Sequence, residues 1–394
     1  MHMFYPRKVY GALKAHLKAR PMTVITGMRQ TGKTTLVKKL LADIDSDNKL
    51  YIDLERLDSR ELFSEKNYDA IIHTLTQRGL SFRRKAYIAL DEIQLVKNIP
   101  SVLKYLYDTY DIKFIVTGSS SFYLKNLFGE SMAGRKKIFE LYPLDFGEFL
   151  IFKAVPYQRG ALFETMFTPA EYERLHPYYE EYIAYGGFPA VALADTIDRK
   201  KDLLADLVSS YVTIDIKSLA DFRNEKIVYA LIKMLAARTG TRLDYAKLSR
   251  LAGVSAATVR NYIDFFEKTY LIARLPVLTK NADREIVKAQ KIYFCDPGII
   301  HILAQIGAGA QFENAVFSQL RGQGELRYFA LKTGREIDFI LDSRTALEVK
   351  EIPTTQDKTD SAKLAHLAGL KKSYLIGRYP APLFRDYIWG GNIV

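Results

Sequence analysis

A single cysteine in 394 residues, Cys295, excludes an intramolecular disulfide and a cysteine-cluster metal site, as suits a reducing compartment. Its neighbours Ile292-Tyr293-Phe294 read as a buried strand, so its expected role is packing rather than reactivity. No uninterrupted apolar run approaches the length of a membrane helix, and Met1-His2-Met3-Phe4-Tyr5-Pro6-Arg7-Lys8 lacks the apolar core of a signal peptide. The expectation is a soluble, cytoplasmic protein with no membrane partner. Internal repeats and low-complexity tracts are missing too, which sets aside a solenoid.

Lysine and arginine number 57 against 45 aspartates and glutamates, an excess of twelve with a pI near 9.3. That balance favours a polyanionic partner. The length predicts two to three domains. Between residues 24 and 144, short apolar runs at 24–26, 50–54, 86–90, 114–117 and 137–141 alternate with helical periods. This is the pattern of a parallel sheet covered by helices, an α/β fold. A helical region follows, broken at Tyr185-Gly186-Gly187-Phe188-Pro189, where paired glycines and proline must stop a helix.

Gly27-Met28-Arg29-Gln30-Thr31-Gly32-Lys33-Thr34, with Thr35 next, follows the first apolar run and opens a helical period. This is a complete G-x-x-x-x-G-K-[ST] phosphate loop. Its glycines let the backbone curl so that N–H groups face phosphates, Lys33 supplies a point charge, and the Thr34 hydroxyl can ligate Mg²⁺. Tyr87-Ile88-Ala89-Leu90-Asp91-Glu92 is an apolar strand ending in two carboxylates: Asp91 for the metal's water shell, Glu92 to orient and deprotonate the attacking water. The next strand runs into Gly118-Ser119-Ser120-Ser121, where Ser119, or secondly Thr117, can sense the γ-phosphate. Arg135, in Ala133-Gly134-Arg135, has two open readings, a finger on the transferring phosphate in cis or in trans, and an ordinary surface residue.

These segments, with Tyr142-Pro143-Leu144-Asp145-Phe146-Gly147-Glu148-Phe149, the glycine break, Glu336-Ile337-Asp338-Phe339 and Glu348-Val349-Lys350, resemble a family of prokaryotic AAA-type ATPases joined to a C-terminal domain of unknown function. The resemblance covers nearly the whole chain. It implies an ASCE-type P-loop NTPase sheet of strand order 5-1-4-3-2. It also implies ATP with Mg²⁺ as cofactors rather than GTP, since no Asn-Lys-x-Asp guanine signature is present. AAA-type proteins often oligomerise, so an oligomer is compatible, although no sensor arginine is evident after the core.

Residues 244–267 have the short helix, the glycine turn at Gly253 and the Ser255 N-cap of a helix-turn-helix, with Leu248, Leu251, Val254, Val259, Ile263 and Phe266 as its expected core. Strand-like runs around Asn281-Ala282-Asp283 would add a wing. A winged helix aims Ser255, Thr258, Arg260 and Asn261 outward, where Arg260 and Asn261 suit DNA; docking of a protein partner is the equal alternative. Near the end, Glu313 on a helix, Asp338 on a strand, and Glu348 and Lys350 on the next strand resemble the PD-(D/E)XK nuclease core, without a proline before Asp338. Live cleavage and a retained, silent fold both stay open, the latter with Asp338 and Lys350 as a cross-strand ion pair.

The expected organisation is an AAA-type P-loop ATPase domain at 1–150, a helical lid or linker at 151–224, a winged helix at 225–305 and an α/β nuclease-like domain at 306–394. The expected function is Mg²⁺-dependent ATP hydrolysis that switches nucleic-acid contacts. The alternative is a signalling or scaffold ATPase with a protein partner.

Overall fold

A computed structural model describes residues 4–119, 134–158, 163, 168–216, 224–279, 289–381, 384 and 386–393. The expected helix at 122–127, Ser120, Ser121, Ala133 and the expected wing at Asn281-Ala282-Asp283 lie outside them. The chain divides into two compact units, Met1–Tyr142 with Lys268–Tyr270, and Pro143–Glu267 with Leu271–Val394.

In the first unit, strands β1 (Met22–Thr26), β2 (Lys49–Asp53), β3 (Ala86–Asp91), β4 (Ile112–Gly118) and β5 (Lys136–Glu140) form one sheet in the order β2-β3-β4-β1-β5, every pair parallel. This is the expected order read from the other edge. Every residue of β1 and β4 is buried, because helices cover both faces of a parallel sheet. Strand side chains alternate between faces, and the apolar contacts follow that period. Val24, Ile88, Leu90, Phe114 and Val116 share a core with Ile71, Leu75, Val102 and Leu106 of the helices Tyr68–Gln77 and Ile99–Thr109. Ile25, Ala89 and Ile115 share the other with Leu36, Val37 and Leu40 of helix α1 (Lys33–Ala42). Each of the larger side chains contributes roughly 1.5–3 kcal/mol on burial, so a one-residue slip of any central strand would forfeit several of them at once. Register is thereby fixed, and the C-terminal ends of β1, β3 and β4 lie along one edge, where open α/β sheets bind ligands.

The second unit opens with helix Phe146–Phe152, capped by Asp145, which accepts from the Glu148 N–H at 2.9 Å while Glu148 reaches back to the Asp145 N–H. Helix Pro169–Tyr185 stops at Gly186, whose φ is 75°. The glycine pair is explained by Asp296: its carboxylate accepts from the Gly187 N–H at 2.7 Å and the Gly298 N–H at 2.9 Å, and a Cβ on Gly186 would lie 1.9 Å from its Oδ1.

After helix Glu225–Ala236 come α2 (Tyr245–Ala252), a turn at Gly253 with φ 66°, and α3 (Ala256–Lys268). Ser255 accepts from the Thr258 N–H at 3.0 Å, the expected cap. Antiparallel β6 (Ile272–Leu275) and β7 (Lys291–Phe294) follow, with Cys295 buried just beyond. Leu251, expected in the core, is 53 % exposed. It lies in the last turn of a short helix, past the point where Leu248 already faces inward.

Helix α4 (Ala308–Leu320) leads into β8 (Leu326–Ala330), β9 (Glu336–Leu341), β10 (Thr345–Lys350), β11 (Lys372–Gly377) and β12 (Ile388–Trp389), ordered β12-β11-β10-β9-β8. β8–β9 and β9–β10 are antiparallel; β10–β11 is parallel and so requires a crossover. Helix α5 (Thr355–Leu367) supplies it, and the stretch 353–357, polar in sequence, is its start: Thr354 accepts from the Asp357 N–H at 3.1 Å, and Asp357 accepts from the Thr354 N–H at 2.9 Å.

Burial pushes the Asp296 carboxyl up to about 6, against the pull of its N–H donors. The unfolded value is about 3.9, so the native state holds a proton that the unfolded chain has lost between those pH values. Stability contributed by this group is present below pH ~4 and is lost as pH rises through ~6, on the order of 2–3 kcal/mol. In urea titrations from pH 4 to 7, wild type should lose stability relative to Asp296→Asn by about that amount; parallel pH profiles would refute the assignment.

Candidate functional site

The loop between β1 and α1 is held by its own backbone geometry. Gln30 and Gly32 take left-handed φ of 63° and 94°, and Thr31 is fully buried, its hydroxyl donating to the Met28 carbonyl at 2.9 Å. Gly27 has to be glycine because a Cβ would sit 2.0 Å from the Leu141 carbonyl oxygen, just past β5. Arg7 ties the loop from outside: its guanidinium donates to the carbonyls of Thr31 at 2.9 Å and Tyr142 at 2.7 Å. Met28 is buried, and Arg29 lies 3.9 Å from Glu55. Lys33, 4 % exposed, donates to the carbonyls of Gly27 and Met28, both at 3.0 Å, and its ammonium lies 3.8 Å from Glu92. The charge is thus kept at the loop's mouth.

Thr34 donates its hydroxyl to Asp91 at 2.6 Å, so the side chains expected to share a Mg²⁺ already touch. Tyr51 of β2 donates to the same Asp91 oxygen at 2.7 Å, and Thr117 of β4 donates to the other. Burial and Asp91 push the Tyr51 phenol well up, which keeps it a donor. Glu92 turns away from the strand with φ 57°; its N–H donates to the Thr117 hydroxyl at 2.9 Å, and its carboxylate accepts from Ser119 at 2.7 Å and from Gln94. Thr117 thus holds the Asp91 carboxylate and Ser119 that of Glu92. The donor set fits Mg²⁺ and a triphosphate: Thr34 and Asp91 for the ion, Lys33 and the loop N–H groups for the phosphates. Thr35, the third residue of α1, is exposed.

Arg135 is elsewhere. It directly precedes β5, its carbonyl accepts from the Met22 N–H at 2.8 Å, and its guanidinium pairs with Asp108 at 3.0 Å. That is the N-terminal end of β1, a strand's length (about 16 Å) from the phosphate loop. The chain does not bring Arg135 to its own nucleotide site.

On α3, Arg260 and Asn261 are exposed, with Arg260 over the Tyr245 ring at 5.2 Å. The C-terminal carboxylates do gather, but around a lysine. Lys291, the first residue of β7 and 2 % exposed in its side chain, lies 2.8 Å from Glu336, 3.5 Å from Glu313 and 3.6 Å from Asp338. Burial lowers its pKa, and the surrounding carboxylates more than offset that and hold the ammonium above its ordinary range. Glu313 also accepts from the Tyr293 phenol at 2.6 Å, and Asp338 accepts from the Val349 N–H at 2.9 Å. Lys350 pairs with Glu348 at 2.7 Å, not with Asp338. Burial, then the Asp338 charge, pushes Glu313 and Glu348 up. Among the described residues no group of three His, Cys, Asp or Glu could hold a metal ion. The expected metal set of Glu313, Asp338 and Glu348 does not fit one, because an ammonium stands between its members.

Sequence reading missed Tyr51, Gln94, Arg7 and Lys291. Only Gln94, two residues after Glu92, carried a local signal; the others reach their sites through strand pairing or chain return.

Residues 19–150 match an AAA domain family, and residues 176–310 match a domain of unknown function. An uncharacterized protein of Haemophilus influenzae is 27 % identical over 376 residues, covering 90 % of this chain and 89 % of that one. An uncharacterized protein of Methanocaldococcus jannaschii is also 27 % identical, over 81 % of this chain and 71 % of its own length. Among solved structures, the Aeropyrum pernix ORC1 protein in complex with DNA aligns at 13 % identity over 74 % of this chain and 90 % of that chain, with a TM-score of 0.34. The AAA match thus falls largely within the N-terminal unit, whose five strands form a parallel sheet in the order β2-β3-β4-β1-β5.

Proposed function

We propose that this chain binds ATP with Mg²⁺, hydrolyses it, and uses the nucleotide state to switch the contacts its second unit makes with duplex DNA. The observation that carries the first part is the Asp91–Thr34 contact beside Lys33 and Glu92. When bound, ATP with Mg²⁺ supplies an electrophilic γ-phosphoryl group. Lys33 neutralises phosphate charge, Asp91 and Thr34 orient the ion's shell, and Glu92, steered by Ser119 and Gln94, takes the proton of the attacking water. Arg135 would reach a γ-phosphate only in a neighbouring subunit, so a finger role requires an oligomer.

The DNA part rests on α2, α3 and the β6–β7 pair as a winged helix within residues 225–305, with 151–224 as a lid and 306–394 as the nuclease-like part. Exposed Arg260 and Asn261 and the charge excess of twelve support it. The second reading is a protein partner held by the same module.

The deciding experiment is duplex-DNA binding by fluorescence anisotropy with ATP and Mg²⁺ or with ADP. Wild type should weaken by at least ~10-fold between 50 and 200 mM salt as counterion release is lost. Arg260→Ala with Asn261→Ala should weaken it further, and Lys33→Ala should erase the difference between nucleotides. No binding at low salt with either nucleotide would leave the protein-partner reading in its place.

A further inference from the structure

Four carboxylates project into the space among β7, β9, β10 and α4: Glu313, Glu336, Asp338 and, at its edge, Glu348. Such a group is ordinarily stable only around a cation. Here the cation is covalent. The Lys291 ammonium lies within 3.6 Å of three of them, and Arg242 meets Glu336 from outside at 3.1 Å. We infer that Lys291 is the resident counter-cation of this cluster, standing where a nuclease of this fold would hold a divalent ion, so that the C-terminal sheet takes up no metal while Lys291 is present. The inference rests on the nuclease-like reading of that sheet.

Geometry makes the arrangement permanent rather than a gate. Lys291 is the first of four consecutive buried residues in β7, pairs in register with Leu275 of β6 and bridges to Arg242. That pairing fixes the Lys291 backbone, and three carboxylates within 3.6 Å hold its ammonium. The carboxylates also have neighbours other than Lys291: one Asp338 oxygen accepts from the Val349 N–H, Glu313 accepts from Tyr293, and Glu348 Oε1 accepts from Lys350, while Glu348 Oε2 is buried without a hydrogen-bond partner. Metal ligation would need the ammonium gone from among them. A lysine also does not generate a nucleophile by lowering the pKa of a bound water as a divalent ion does.

The test uses full-length, nucleotide-free protein stripped with EDTA, followed by Mn²⁺ titration with thermal unfolding and electron paramagnetic resonance. Wild type should show no Mn²⁺ uptake that depends on Asp338. Lys291→Ala should unfold at lower temperature, by about 10 °C, and Mn²⁺ should restore roughly half of that while one ion is taken up. Lys291→Ala with Asp338→Asn should lose the Mn²⁺ response, which subtracts any ion held by the phosphate loop. One Mn²⁺ bound by wild type and lost in Asp338→Asn would overturn the inference, and so would a folded Lys291→Ala that gains none. Should Lys291→Ala not fold, the wild type and Asp338→Asn comparison still decides. ATP turnover of each variant, which reports on the first unit, separates failure here from failure of the ATPase reading.

Discussion

Glu92→Gln should bind ATP as wild type does and hydrolyse it about 10²–10⁴-fold more slowly. The substitution is nearly isosteric, and the carboxamide oxygen can still accept from Ser119, so the left-handed backbone at residue 92 and its anchoring N–H to Thr117 are undisturbed. What disappears is a group able to take a proton. Lys33→Ala is the contrasting case: it removes the charge at the loop's mouth and should abolish binding itself. Binding of a fluorescent ATP analogue and phosphate release, measured on both variants, separate the two losses. Wild-type turnover by Glu92→Gln would show that another residue is the base.

How far these sites could be read from sequence depended on the distance over which the chemistry is encoded. The phosphate loop and the Asp91-Glu92 pair are local: each needs a fixed spacing next to a strand, and apolar runs of the right length locate that strand. The strand order followed from the family resemblance rather than from the residues. Tyr51 and Thr117 reach Asp91 only because β2, β3 and β4 are neighbours, which no single segment reveals. Arg135 was ambiguous for the same reason. Its identity suits a finger, but its place before β5 puts it at the opposite end of the sheet from the loop.

The C-terminal site shows the same limit more sharply. The pattern of Glu313, Asp338, Glu348 and Lys350 is visible because β9 and β10 are consecutive and strand side chains alternate. Lys291 arrives from β7, and a lysine at the start of a strand ordinarily reads as solvated. Nothing in its neighbours Gln290 and Ile292 signals that three carboxylates await it. Topology alone turned a metal-site pattern into an ion-pair cluster.

Gly187→Ala should destabilise the second unit by about 3 kcal/mol or more, although it adds a single carbon. A Cβ there would sit 2.1 Å from the Leu144 carbonyl oxygen and 2.9 Å from the Leu144 nitrogen. Both are backbone atoms, and Leu144 cannot retreat, because its N–H donates to the Gly187 carbonyl at 2.7 Å. Nor can Gly187 shift the other way, since its own N–H is held by buried Asp296 at 2.7 Å. The clash must therefore break one of two buried hydrogen bonds, each expensive to leave unmade. Gly11→Ala is the control: it lies in helix Tyr10–His16 with nothing within 4 Å of the new carbon, so it should stabilise by about 0.5–1 kcal/mol. Urea unfolding of both variants measures the contrast. A Gly187→Ala protein as stable as wild type would mean that the Tyr185–Pro189 segment does not seat against Leu144 and Asp296 as described.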